Sequence, residues 1–190
     1  KQTTFYFSAQ GRLSNESGKE TPLAMDSYVS DPSKPVPYRE RLSAQREPEY
    51  MVEDQRFASR RPDVLVYDAP PLESDTTVAG PIEVDLWVAT TGSDADFVVK
   101  LIDVFPENAA DPEPNPRGVR MGGYQALVRG EVMRSRFRNS FEQPEPMTPN
   151  QPTRVRFKLP DVNHTFRVGH HIMVQVQSSW FPLVDRNPQK

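Results

Sequence analysis

Apolar and polar residues alternate with a period of two along most of this chain, and no long helical period interrupts them. Residues 82–89 place Ile82, Val84, Leu86 and Val88 on one side and Glu83 and Asp85 on the other. Residues 154–159 repeat the pattern, with Val155, Phe157 and Leu159 against Arg154, Arg156 and Lys158. In residues 171–178, Ile172, Val174 and Val176 oppose Met173, Gln175 and Gln177. Each pattern predicts a strand with one face on a core. Residues 97–105 are apolar on both faces apart from Lys100 and Asp103, which predicts a central strand. Those two charges sit three positions apart and so point to opposite faces.

Further strands are expected over 3–9, 64–67 and 124–138, with a short return at 12–14 after the Gln10-Gly11 turn. Residues 76–79 lead into Gly80-Pro81, and Gly130 in mid-run suggests a bulge or bend. Trp180-Phe181-Pro182 ends the last strand, and Asp185-Arg186-Asn187-Pro188 follows as a polar tail expected to be partly unpaired. Between strands run proline-rich loops at 31–37, 106–120 and 141–152, a polar stretch at 15–22 and a short apolar one at 25–29. Residues 38–61 have no clean period. A segment of that length either carries function or covers another surface, the alternative being a solvated excursion with a helical turn. Eight or nine strands with turn signals between them predict an all-β chain, a β-sandwich of the jelly-roll kind with long Pro-rich loops.

Composition narrows the function more than the fold. The 190 residues suffice for one domain, and the net charge of -3 gives no sign of nucleic acid or an anionic membrane as partner. No apolar run approaches the roughly 20 residues of a membrane helix, and the first residues are not a signal peptide. Cysteine is absent, so disulfides, thiolate chemistry and Cys-type zinc sites are excluded. Twenty prolines and a mean hydropathy of -0.68 fit long polar loops.

Candidate chemistry is sparse. There is no Gly-x-Ser-x-Gly elbow and no alternation of strands and helices to carry one. His164, His170 and His171 lie close in sequence, but the adjacent pair faces opposite ways on a strand. Hydrogen bonds from His164 and His170 to turn backbone are the expectation, and no metal site is. Asp94-Ala95-Asp96 lacks the donors of a calcium loop and reads as turn chemistry. Arg134, Arg136 and Arg138 alternate as a basic stripe, expected to be a solvated face or to meet Glu131, Glu142 or another domain's carboxylates. Trp87 and Trp180 are read as core residues in preference to a sugar-stacking platform.

Several segments carry a resemblance. His164-Thr-Phe-Arg-Val-Gly-His170 with the following Ile172-Met-Val-Gln-Val-Gln-Ser-Ser-Trp-Phe-Pro-Leu-Val-Asp-Arg-Asn-Pro-Gln189 is the first. Thr90-Thr-Gly-Ser-Asp-Ala-Asp-Phe-Val-Val-Lys-Leu-Ile-Asp-Val104 and Arg134-Ser-Arg-Phe-Arg138 with Ser140-Phe-Glu142 are equally specific. Tyr28 to Tyr38, Glu53-Asp-Gln-Arg56, Arg61-Pro-Asp-Val-Leu65 and Val78-Ala-Gly-Pro81 agree. Together they resemble the C-terminal domain of the family of cocaine esterase, α-amino-acid ester hydrolases, glutaryl-type cephalosporin acylases and X-Pro dipeptidyl-peptidases. Val168 stands where that family often has Pro, and His171 where it often has Arg.

The resemblance implies a galactose-binding-like jelly roll that is non-catalytic, needs no cofactor, and packs on α/β-hydrolase and cap domains of the same polypeptide. Those domains would lie upstream of Lys1 and hold the Ser-His-Asp triad. It also implies that the domain continues past Gln189 with a helical stretch and a strand. An exposed sheet edge, or pairing between copies as a homo-oligomer, is then expected. No catalytic residue is expected in this chain. One loop of the family's jelly roll approaches the active-site mouth. The candidate here is 38–56, with Tyr38, Arg39, Tyr50 and Met51 as substrate-binding residues. A carbohydrate-binding module and a purely structural or dimerising domain are the alternatives. The residues leave the compartment open; for the parent protein a bacterial periplasmic or secreted location is favoured.

Overall fold

The computed structural model describes residues 2–16, 25–41, 45 and 47–189. Parts of the polar stretch 15–22 and of the 38–56 loop, including Arg46, lie outside them. Among the described residues eight strands form two sheets: β1 Tyr6–Ser8, β2 Arg12–Ser14, β3 Val64–Asp68, β4 Thr76–Val88, β5 Asp96–Val104, β6 Gln125–Arg134, β7 Thr153–Phe166 and β8 His171–Gln177. The first sheet has the order β1-β2-β3-β8-β5-β6, and β4 pairs with β7 in the second. A turn of α-helix, α1, spans Arg56–Ser59. The chain is therefore an all-β sandwich.

The core lies between the sheets. Phe97, Val99 and Leu101 of β5 and Ile172 and Val176 of β8 meet Val84 of β4 and Val155, Phe157, Leu159, Val162 and Phe166 of β7. Val84, Val155, Phe157, Leu159, Ile172 and Val176 are positions that period two assigned inward, because alternate side chains of a strand share one face. Every residue of β5 is buried, as expected of a strand with β8 on one side and β6 on the other.

Three expectations change. Residues 76–79 and 82–88 form one strand, since the chain runs straight through Gly80-Pro81. Gly80 faces Val162 and Ile82 faces Leu159, so β7 carries one extra residue across Pro160 and Asp161. The irregularity of β6 is not at Gly130, which pairs with Lys100, but at Val128, skipped between Arg129 and Leu127. Gly130 serves another purpose: a Cβ there would lie 3.0 Å from Trp180 Cη2, so its lack of a side chain admits the indole. The stripe of Arg134, Arg136 and Arg138 does not form, because the chain leaves the sheet in a 3-10 turn over Ser135–Phe137.

The second face of the large sheet is also covered. Met173, Gln175 and Gln177 of β8, opposite the core face, are all buried. Described residues of 36–41 and 47–63 cover this face. Val36, Ala58 and Val64 form one cluster there, and Tyr38, Val98 and Trp180 another. Main-chain bonds fasten the cover: Tyr38 N to Phe181 O at 2.8 Å, Phe181 N to Val36 O at 3.0 Å, and Gln55 N to Gln125 O at 2.9 Å. The described residues of the aperiodic segment follow no period because they pack as a layer of irregular backbone.

Candidate functional site

The four candidate residues of this layer separate into anchors and an exposed tip. Tyr38 is 1% exposed, and its hydroxyl donates to Gln45 O at 3.0 Å and accepts from Glu47 N at 3.3 Å. The Arg39 guanidinium binds the Glu47 carboxylate and lies 3.9 Å from that of Glu53. The Tyr50 ring meets Trp180 edge-on at 5.9 Å and Tyr38 at 5.5 Å. Tyr50 lies in a short 3-10 turn over Pro48–Met51, Pro48 supplying a fixed φ at its start. Beyond Tyr50 the chain turns outward: Met51 is 52% exposed and Val52 is 69% exposed. Tyr38, Arg39 and Tyr50 thus hold the segment, while Met51 and Val52 present apolar surface. The sequence reading missed Val52, although an apolar pair beside a proline turn is itself a signal.

The layer rests on a polar contact buried beneath it. Lys100 is fully buried on the outer face of β5, and its Nζ donates to Gln55 Oε1 at 3.1 Å under the Trp180 ring. Burial pulls its amine down from 10.5 to about 7. Trp180 is a core residue as expected. Trp87 is not: it stands on the outward face of β4, 70% exposed and opposite Arg154.

The histidines bind carboxylates rather than turn backbone. His170 Nδ1 meets Asp103 Oδ1 at 2.7 Å, and His164 Nε2 meets Asp103 Oδ2 at 2.9 Å. Asp103 sits on the core face of β5 and so ties that strand to β7 and to the turn before β8. His171 points the other way, to Asp68 at 3.2 Å. Among the described residues no group of three or more His, Asp or Glu is placed to hold a metal.

Asp94 and Asp96 are buried carboxylates, and Asp94 accepts from the main-chain N–H of Arg136 at 3.0 Å. Arg136 Nε lies 2.6 Å from Asp94 Oδ2, and Arg134 Nε lies 2.8 Å from Asp96 Oδ1. Arg138 takes Glu145 at 3.3 Å. Asn187 of the tail donates to Asp94 Oδ2 at 3.0 Å and Asp96 Oδ1 at 2.7 Å. Burial pushes the Asp94 carboxyl up, but hydrogen bonds from Ser135, Asn187 and Arg136 outweigh it and hold it below its usual value. Arg134 also reaches Asp185 at 3.3 Å, and Arg186 lies against Phe181. The tail expected to be partly unpaired is locked in place, because its polar groups complete a network of buried charges that would otherwise be costly.

Among the described residues all three imidazoles hold carboxylates and none holds a serine hydroxyl. The charged motifs of this sandwich fasten its own loops. The chain belongs to the X-Pro dipeptidyl-peptidase C-terminal non-catalytic domain family, whose model matches residues 1–190. It is 31% identical over 192 residues to the cocaine esterase of Rhodococcus sp. (strain MB1 Bresler), covering 97% of this chain and 31% of that protein. Among solved structures, an α-amino acid ester hydrolase is 46% identical with a TM-score of 0.89. An aminopeptidase from a marine sediment Thaumarchaeota archaeon is 45% identical with a TM-score of 0.82. Each match covers 98% of this chain and 30% of the solved one. The chain thus spans about a third of the length of these relatives.

Proposed function

We propose that this domain serves a larger serine acyl hydrolase, packing on its α/β-hydrolase domain and forming part of the active-site mouth with residues 38–56. The bond cleaved would be an ester or amide acyl bond, the chemistry shared by the esterase, ester hydrolase and aminopeptidase names of its relatives. The observation that supports the reading is the pairing of a fixed base with an apolar tip. Tyr38 and Tyr50 are pinned on the sheet, while Met51 and Val52 project side by side. An apolar surface on a rigid mount suits an acyl-group wall, since a wall that moved would lose its discrimination.

The test is kinetic and uses the full-length hydrolase. Met51→Ala or Val52→Ala removes apolar contact worth about 1 kcal/mol, so KM for a bulky apolar acyl ester rises about threefold to tenfold while Tm holds. Unchanged kcat and KM remove the segment from the substrate site.

A further inference from the structure

The buried amine of Lys100 is used by no interface or reaction described above, yet its surroundings are specific. It projects from β5 between Val98 and Ile102 into the seam between the large sheet and its covering layer. The elements around it offer it no negative charge. From β8, Gln175 stands directly opposite, and from β6 the opposing residue is Gly130, with no side chain. From above come the Trp180 ring, its centroid 5.2 Å from Nζ, and the Gln55 amide.

The nearby carboxylates are committed elsewhere. Asp54 binds Arg56, Glu53 accepts from Glu40 N and lies toward Arg39, and Glu131 accepts from Val132 N. No carboxylate forms an ion pair with Lys100 among the described residues. An ammonium here would lose its hydration for one amide oxygen and one aromatic face, and burial of a charge outweighs a cation–π contact. An uncharged amine fits the same space with its one hydrogen bond kept. Gln55 is the residue it holds, and Gln55 in turn is tied to Gln125 O through its own N–H and to Glu53 O through its side chain.

We propose that Lys100 is a positioning residue for the covering segment: its uncharged amine seats residues 47–59 through Gln55, and taking up a proton unseats them. The seating is a property of this domain alone; its effect on substrate rests on the reading of residues 38–56 as a mouth.

The direction with pH follows from linkage. In the closed segment the amine titrates near 7, and when the segment opens it returns to 10.5. Between these values the open form binds one more proton. Opening therefore becomes about tenfold rarer for each pH unit gained, and is independent of pH below the closed value.

Hydrogen exchange of the full chain measures this. The amides of Gln55, Ala58 and Ser59, which donate to Gln125 O, Gln55 O and Gln55 O, report the opening. Intrinsic exchange rises in proportion to hydroxide, and the falling opening constant cancels it. In the wild type these three rates should stay nearly flat from about pH 7 to 10. In Lys100→Met they should climb with hydroxide. In Gln55→Glu, which gives the amine a carboxylate and keeps its charge, they should climb as well, so a Lys100 variant that fails to fold does not end the test. The same profile in wild type and variants overturns the proposal. A flat wild-type profile that climbs in the variants, together with a KM that Lys100→Met leaves unchanged, keeps the anchor and removes the mouth.

Discussion

Replacing Asn187 probes the tail lock most sharply. Its side-chain nitrogen donates to two buried carboxylates, Asp94 at 3.0 Å and Asp96 at 2.7 Å, and the residue is 4% exposed. A hydrogen bond to a charged partner contributes about 1.5–3 kcal/mol, so Asn187→Ala should lose about 3–5 kcal/mol at pH 7. Asn187→Asp keeps the shape but sets a third carboxylate against the other two, and should lose more at pH 7 and recover on mild acidification as the new carboxyl takes up a proton. Urea unfolding at neutral and mildly acidic pH measures both. The wild type sets the baseline. Asp94 titrates below its usual 3.8 when folded, so its contribution is present above that value and is lost as pH falls through the folded one. Asn187→Ala removes one of the bonds responsible, so its stability should fall less steeply with acid than that of the wild type. A loss below about 1 kcal/mol for both variants at pH 7 would refute the claim that the tail's hydrogen bonds stabilise the buried pair.

Two other substitutions test the packing and its limits. Gly130→Val presses a side chain toward the Trp180 ring, 3.0 Å from where a Cβ would stand, and toward Lys100 Cγ at 3.4 Å. Overpacking there should cost about 1–3 kcal/mol by thermal unfolding, with the Trp180 fluorescence altered. Arg154→Ala breaks an ion pair with Asp85 at 2.6 Å whose partners are 49% and 40% exposed. A double-mutant cycle should return no more coupling than the error of the measurement, since solvent screens such pairs.

The sandwich was legible because strands announce themselves locally. Ile82, Val84, Leu86 and Val88, or Val155, Phe157 and Leu159, need only their neighbours to declare a face. The buried β5 was legible from its run of apolar residues. What could not be read were partnerships across large separations. Asp103 meets His164 from 61 positions away and Gln55 meets Lys100 from 45, and no period in either segment names the other. The arginines misled because period two assumes the strand continues, whereas it ends at Arg134. Trp87 misled because a large aromatic on a strand suggests a core, while its odd position relative to Leu86 and Val88 already placed it outward. Residues 38–56 were marked only by having no pattern. Their anchors and their exposed tip became distinguishable once the sheet beneath was known.

The measurement that bears most directly on the central claim is the KM of the full-length hydrolase for esters of increasing acyl size, in wild type, Met51→Ala and Val52→Ala. If residues 38–56 form an acyl wall, the loss in the variants grows with the apolar area of the acyl group, at unchanged Tm. A loss that is absent, or equal for small and large acyl groups, contradicts it.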